Sequence, residues 1–444
     1  MEVLLASSSV DGGISCWDLN TGAERLHYKS CASPVHGLVC VGQRFIASSQ
    51  LRDAKASSGS VFYWSWHKPQ VEVKSFPAEQ INPLAANSEG TYIVGGGLSG
   101  GIYLWEVASG RLLRKWDGHH TRVSCLVFSD DDSLLISGGG DGSVRVWSLL
   151  KIFDDYLTQQ ASHLYEYNFM EHQRCVNGIK AGYGGHNAII VSASSDKTCK
   201  VWSLSGGKLL RDIVFPSEIE AIAMDPVEAV FYAGGHDGKI YVAALHTDSP
   251  NSKNHGLHIL RSFEDLSKVK VNCLEYNVSR NVLISGSEDG WVRVWDVGPG
   301  NVIGKFRHGK DAVNNIVVVR QQLYPSSQNS SRRRGSLLPP LEKYAISTDE
   351  DTDTKTVLGF QETNSKSMDA TYHISNVINY QIKELQQRGS AASEMEMDRL
   401  KLEYKKSLQM VHQWKRMYEN LHQFCVNELL EDGAEAGGPN RNST

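Results

Sequence analysis

The chain has little that would announce chemistry. Its eight cysteines are scattered singly through 444 residues, with no C-x-x-C pair and no histidine-rich partner. That spacing argues against a zinc site or a disulfide framework and suits a reducing compartment. It also lacks a long apolar run, an amino-terminal basic segment and a lipidation motif, and Met1-Glu2 leads directly into a strand-like stretch. The expectation is a soluble intracellular protein with no membrane association. Positive charge is not in excess: 45 lysines and arginines stand against 50 acidic residues, a net charge of −5. No global basic field or aromatic-plus-basic stripe favours tight direct binding of RNA. Nor is a cofactor expected. Gly95, Gly97 and Gly100 satisfy G-x-G-x-x-G, but a predicted strand over 102–106 follows them where a dinucleotide site needs a helix.

What the chain does have is a repeated hairpin. Residues 134–147 (LLISGGGDGSVRVW) read as an apolar strand, a tight Gly/Asp turn, and a second strand alternating Val144 and Val146 with Arg145. Period-two alternation sends one side into a core and the other towards solvent. Asp-Gly between apolar runs signals a hairpin, because glycine tolerates the positive φ of the turn. Residues 189–202 and 282–295 repeat the pattern almost position for position. In this register seven copies end at Trp17, Trp64, Trp105, Trp147, Trp202, Ala243 and Trp295. A period of roughly 40–45 residues closing on Trp-Asp marks four-stranded propeller blades. Residues 1–320 therefore resemble the WD-repeat family, which implies an all-β, seven-bladed propeller. The first blade begins part-way through, and 313–319 is the candidate for its missing innermost strand, pairing with the strands of 3–28. That pairing would close the ring and leave no open inner edge.

Two repeats carry the same polar set, with Ser, Asp and Trp at matching offsets: His119, Ser137, Asp141 and Trp147, then His172, Ser192, Asp196 and Trp202. In the WD-repeat family these positions form a buried chain from Trp to Ser to His to Asp, and these residues match them one by one. A Ser/His/Asp set also raises a hydrolase triad. The set recurs in two repeats, however, and lacks a G-x-S-x-G elbow, so a structural role is expected and no catalytic or metal site. Repeat six has Ala233 and Ala243 where Ser and Trp are expected, and repeat seven has no His before Val271. Family geometry also implies candidate partner contacts on the top face at Ser195, His236 and Glu288, each just before the turn Asp.

The insertion at 149–157 spaces its apolar residues like a short amphipathic helix, suited to partner contact, whereas 246–258 is polar. Beyond the repeats, 321–372 loses periodicity and is expected to be a disordered linker. It includes a Pro-broken apolar patch (LLPPL) and two weak signals, Arg332–Arg334 for nuclear import and Ser336 for phosphorylation. Residues 373–432 turn helical in character. Met397, Leu400, Tyr404, Val411, Trp414, Tyr418, Leu421 and Cys425 form an a/d seam, which predicts a coiled coil and a homodimer, the alternative being that the stripe packs on the chain's own propeller or on a partner's helix. Residues 433–444 are expected to be a disordered tail.

A propeller with a coil offers binding surfaces, so a non-enzymatic interaction scaffold is the leading reading. The alternative is a ubiquitin-ligase substrate receptor or another generic WD-repeat adaptor. The receptor motif Trp-Asp-x-Arg is missing, since Trp17-Asp18 precedes Leu-Asn and Trp295-Asp296 precedes Val-Gly. A narrower resemblance rests on MEVLLASSSVDGGISCWDLNTG, CASPVHGL (31–38), SSGSVFYWSWHKPQ (57–70) and KELQQRGSAASEMEMDRLKLEYKKSLQM (383–410). These stretches are similar to the plant branch of the WD-repeat subunits of the nuclear complex that matures pre-60S ribosomal particles. The resemblance implies a nuclear and nucleolar scaffold subunit that works in rRNA internal-spacer processing. Its implied partners are an armadillo/HEAT-like scaffold subunit, a third subunit and, through the complex, an AAA ATPase and the pre-60S particle. It also implies a link to cell division and meristem growth.

Overall fold

A computed structural model of the chain describes residues 2–10, 12–51, 58–154, 163–245, 259–265, 268–320 and 338–344. Among them, 28 strands form seven antiparallel sheets of four. Blade 1 joins the two ends of this region: its innermost strand is Val313–Arg320, followed outward by Glu2–Ser8, Ile14–Asp18 and Glu24–Tyr28. The closing pair sets Leu4 opposite Val318 and Ala6 opposite Ile316, with a bulge at Ser7/Ser8. Every other blade is four strands in chain order. Blade 2 runs from Leu38–Val41 to Val73–Ser75, and blade 3 from Ile81–Ala86 to Leu112–Asp117. Blade 4 runs from Val123–Phe128 to Tyr165–Phe169, and blade 5 from Val176–Ala181 to Lys208–Val214. Blade 6 runs from Ile219–Met224 to Ile259–Glu264, and blade 7 from Val271–Asn277 to Val302–Arg307. The protein is thus a seven-bladed β-propeller.

The 41–55-residue spacing of the Trp slot has a packing reason. Seven apolar clusters each fill one seam between neighbouring blades. The slot residue of each blade enters the seam with the blade before it: Trp105 meets blade 2, Trp147 blade 3 and Trp202 blade 4. A buried tryptophan removes about 150–250 Å² from water, which makes it the main wedge of each seam. Ala243 is the exception. There Phe215 fills the space, 5.5 Å from the Tyr241 ring and 6.4 Å from Phe231.

The repeated glycines answer two separate needs. A Cβ on Gly138 would lie 2.8 Å from Val176 of the next blade, and one on Gly286 would lie 2.7 Å from Val313. These positions let the inner strand of one blade press against its neighbour. At the Asp-Gly turns the need is conformational: Gly142 and Gly290 both have φ +78. Blade 5 puts Lys197 in the same left-handed region, at φ 67.

In the insertion after Trp147, residues Leu149–Phe153 form a short helix. Leu149 and Ile152 enter the blade 3–blade 4 seam, while Leu150 is 72% exposed. Residues 155–157 of that insertion, the 246–258 insertion, Arg332–Arg334, Ser336, the whole 397–425 seam and the tail lie outside the described residues.

One finding departs from the sequence reading. Within the stretch read as disordered linker, Leu338–Tyr344 lies against blades 2 and 3, and Leu341 is buried among Tyr63, Tyr103, Trp105 and Leu112. The Pro-broken composition was misleading because Pro339 and Pro340 stop a helix or strand from forming without stopping two leucines from docking.

Candidate functional site

The polar set of blade 4 is assembled from four elements. Trp147, on the third strand, donates its indole N–H to Ser137 Oγ on the second, at 2.8 Å. Ser137 Oγ lies 2.8 Å from His119 Nε2, and His119 Nδ1 faces Asp141 Oδ1 at 3.2 Å. Asp141 also accepts from Ser143 Oγ at 2.7 Å and from the backbone N–H of Ser143 and His120. Blade 5 repeats this geometry: Trp202 to Ser192 at 2.9 Å, Ser192 to His172 at 2.8 Å, and His172 to Asp196 at 3.0 Å. Its Asp196 accepts in addition from Thr198 and the Gln173 N–H. One proton assignment satisfies each chain: Trp N–H to Ser, Ser O–H to His Nε2, and His Nδ1–H to the carboxylate.

Ser137 and Ser192 are fully buried, and each already accepts an indole N–H. A nucleophile must meet its substrate, and these hydroxyls meet only their own blade. The chemistry the arrangement can perform is cohesive: it ties the inner loop, two strands and the turn of one blade into a single network.

Burial raises the Asp141 carboxyl, but hydrogen bonds from His119 and Ser143 outweigh it and hold the group well below the usual carboxylate range. Asp196 is held low in the same way by His172 and Thr198. Burial pushes His119 below the ordinary histidine value despite its Asp141 bond. In blade 1, burial pushes His308 down to about 4; its Nδ1 meets Ser15 Oγ at 2.9 Å. All four shifts have one sign: the unfolded chain binds protons more readily. Their stabilisation is complete above the unfolded pKa and is lost as pH falls, between about 6.5 and 4 for His308 and below about 3.9 for the carboxylates. Melting temperature is therefore expected to decline from pH 6.5 towards pH 4. A His308→Asn chain should show a shallower decline, measured by circular dichroism at fixed ionic strength.

The other repeats solve the same problem with residues the sequence reading did not single out. In blade 3, Glu79 stands in the histidine's place and accepts from Tyr103 at 2.6 Å and Ser99 at 2.7 Å. In blade 6, Tyr241 donates to Asp237. In blade 7, Trp295 keeps its Ser285 bond, and Arg293 bridges Asp289 and Asp265. The signal was available: Tyr103, Tyr241 and Arg293 each lie two residues before the Trp slot, in repeats that lack the histidine.

The candidate contacts gather at one end of the central channel. A cavity of about 470 Å³ there is lined by Arg122, Asn177, Glu220, Lys270 and Glu288, among others. Glu288 is exposed at its mouth. Ser195 accepts from Asn177 Nδ2 at 2.9 Å, and His236 lies 3.5 Å from Glu220. Lys270 pairs with Glu220 at 2.8 Å, so the mouth is polar and of mixed sign. Deeper in, His36 reaches from blade 2 across the ring to the Asn177 carbonyl of blade 5, at 2.7 Å. No spacing rule pointed to it, because the contact joins blades on opposite sides of the ring. Among the described residues no group of three or more His, Cys, Asp or Glu is placed to hold a metal ion.

The WD domain, G-beta repeat model matches residues 110–148, 164–203 and 259–296. Over 96% of this chain and 98% of the relative, identity to Protein ROOT INITIATION DEFECTIVE 3 of Arabidopsis thaliana is 53%. WD repeat-containing protein 18 of Homo sapiens is 32% identical over 78% of this chain and 79% of its own. Pre-rRNA-processing protein IPI3 of Yarrowia lipolytica is 25% identical over 72% of this chain and 76% of its own. The repeat geometry and these two-ended similarities place the chain in the WD-repeat family that includes ROOT INITIATION DEFECTIVE 3 and WD repeat-containing protein 18.

Proposed function

We infer that this protein is a non-catalytic WD-repeat scaffold acting in pre-rRNA processing during ribosome biogenesis. The observation that carries the reading is similarity across the propeller to relatives named for pre-rRNA processing. The buried tetrads support it, since the Ser/His/Asp sets that resemble a catalytic triad are closed inside their blades. In its finer form the reading is a nuclear and nucleolar subunit of the complex that matures pre-60S particles. An armadillo/HEAT-like subunit and a third subunit are its direct partners, and the AAA ATPase and the particle are reached through them. Self-association through Met397 to Cys425 belongs to the same reading, because a lone helix would leave that seam in water. Net charge of −5 supports contact with rRNA through partner proteins. Depleting the protein is expected to accumulate precursors that retain internal-spacer sequence and to lower the 60S share. Affinity purification should return pre-60S proteins in a nuclear fraction. Normal precursor ratios after complete depletion would remove the reading.

A further inference from the structure

We propose that the seam between blades 2 and 3 is a peptide-binding site for a Leu-Pro-Pro-Leu-Glu segment, occupied here by the chain's own Leu338–Glu342. The site exists because blade 3 lacks the tetrad serine. Gly95 stands where blade 4 has Ser137, and a Cβ there would lie 2.7 Å from Ile81 and 3.0 Å from the Trp105 ring. The buried Trp105 indole N–H donates instead to the Glu342 carbonyl, at 2.9 Å. A buried donor without a partner is costly, so this bond favours the docked segment.

The remaining contacts read the segment in order. The Glu342 N–H donates to the Gly110 carbonyl at 2.8 Å, and the Leu341 N–H to Ser75 Oγ at 2.9 Å. The Leu112 N–H donates to the Glu342 carboxylate at 3.3 Å. Pro340 passes so close that a Cβ on Gly110, itself at φ +72, would lie 2.4 Å from its carbonyl oxygen. Leu341 is buried beside Tyr63, Tyr103 and Trp105. Two prolines, an anchoring leucine and an aromatic-lined groove make up the chemistry of proline-rich peptide recognition, in which a stiff ligand loses little entropy on docking. Leu338–Tyr344 joins no strand ladder, so it is held as a ligand is held. Because ligand and site share a chain, a free peptide competes poorly against the native segment.

The test uses the full-length protein and a fluorescent peptide of residues 336–346. A Leu341→Asp chain, whose own segment no longer fits, is expected to bind this peptide at least about tenfold more tightly than the wild-type chain. Adding Gly110→Ala should abolish that binding. Equal affinity for both chains, or binding to neither, overturns the proposal. So does global unfolding of the Leu341→Asp chain, because the segment would then be an integral part of the propeller. On the unmodified chain, hydrogen exchange gives an independent reading. The Leu341 and Glu342 amides should exchange by local opening, at least about tenfold faster than the Leu4 amide. Exchange only together with Leu4 overturns the proposal.

Discussion

A chain ending before Val313 is expected to lose cooperative unfolding altogether, whereas one ending after Tyr344 retains it. The innermost strand of blade 1 pairs with Glu2–Ser8 along seven residues. Val313 and Ile316 also fill the blade 7–blade 1 seam together with Leu4, Ala6 and Trp17. Removing the strand opens the ring, exposes an unpaired edge and takes the apolar wedge from a seam. Each large buried apolar side chain contributes about 1.5–3 kcal/mol, against a total stability of about 5–15 kcal/mol for a typical domain. Ile316→Ala isolates the packing part and should cost about 2–5 kcal/mol with the ring still closed. A chain ending at Arg320 loses the docked Leu338–Tyr344 but keeps the closure, so it should still melt in one transition at a lower temperature. Thermal melts by circular dichroism compare all of these chains. A single sharp transition for the chain ending before Val313 would show that the ring does not depend on its closing strand.

The second large effect is expected at Asp141. This carboxylate serves His119, the Ser143 hydroxyl and two backbone N–H groups at once. Asp141→Ala leaves several of these donors without an acceptor in a poorly solvated place, which should cost about 3 kcal/mol. His119→Ala should follow in the same direction. The readout that separates a structural from a catalytic role is the comparison of stability with partner capture. Affinity for partners should fall only in proportion to the unfolded fraction, and cooling should restore it. Loss of an activity or a partner at unchanged melting temperature would place Asp141 in a functional site instead.

The sequence by itself determined the blade count, because the Trp slot, the Asp-Gly turn and period-two alternation recur wherever a four-stranded sheet must bury both faces. It also determined which repeats carry the full polar set, since Ser, Asp and Trp keep constant offsets in both and a histidine, His119 or His172, precedes them. These are local rules within one repeat, read along some 40 consecutive residues. Three features needed the tertiary structure. Glu79, Tyr103, Tyr241 and Arg293 take up the polar bonding of incomplete repeats, and each choice depends on which side chain reaches the turn or loop of its own blade. His36 meets Asn177 only because ring closure brings opposite blades within 2.7 Å. Leu338–Tyr344 carries no periodicity at all. What orders it is a vacancy elsewhere, the indole N–H that Gly95 leaves without a serine. A periodic pattern reports the burial a residue shares with its own repeat. It is silent about a bond made to a neighbour more than two hundred positions away, and such bonds decide where this chain departs from a regular propeller.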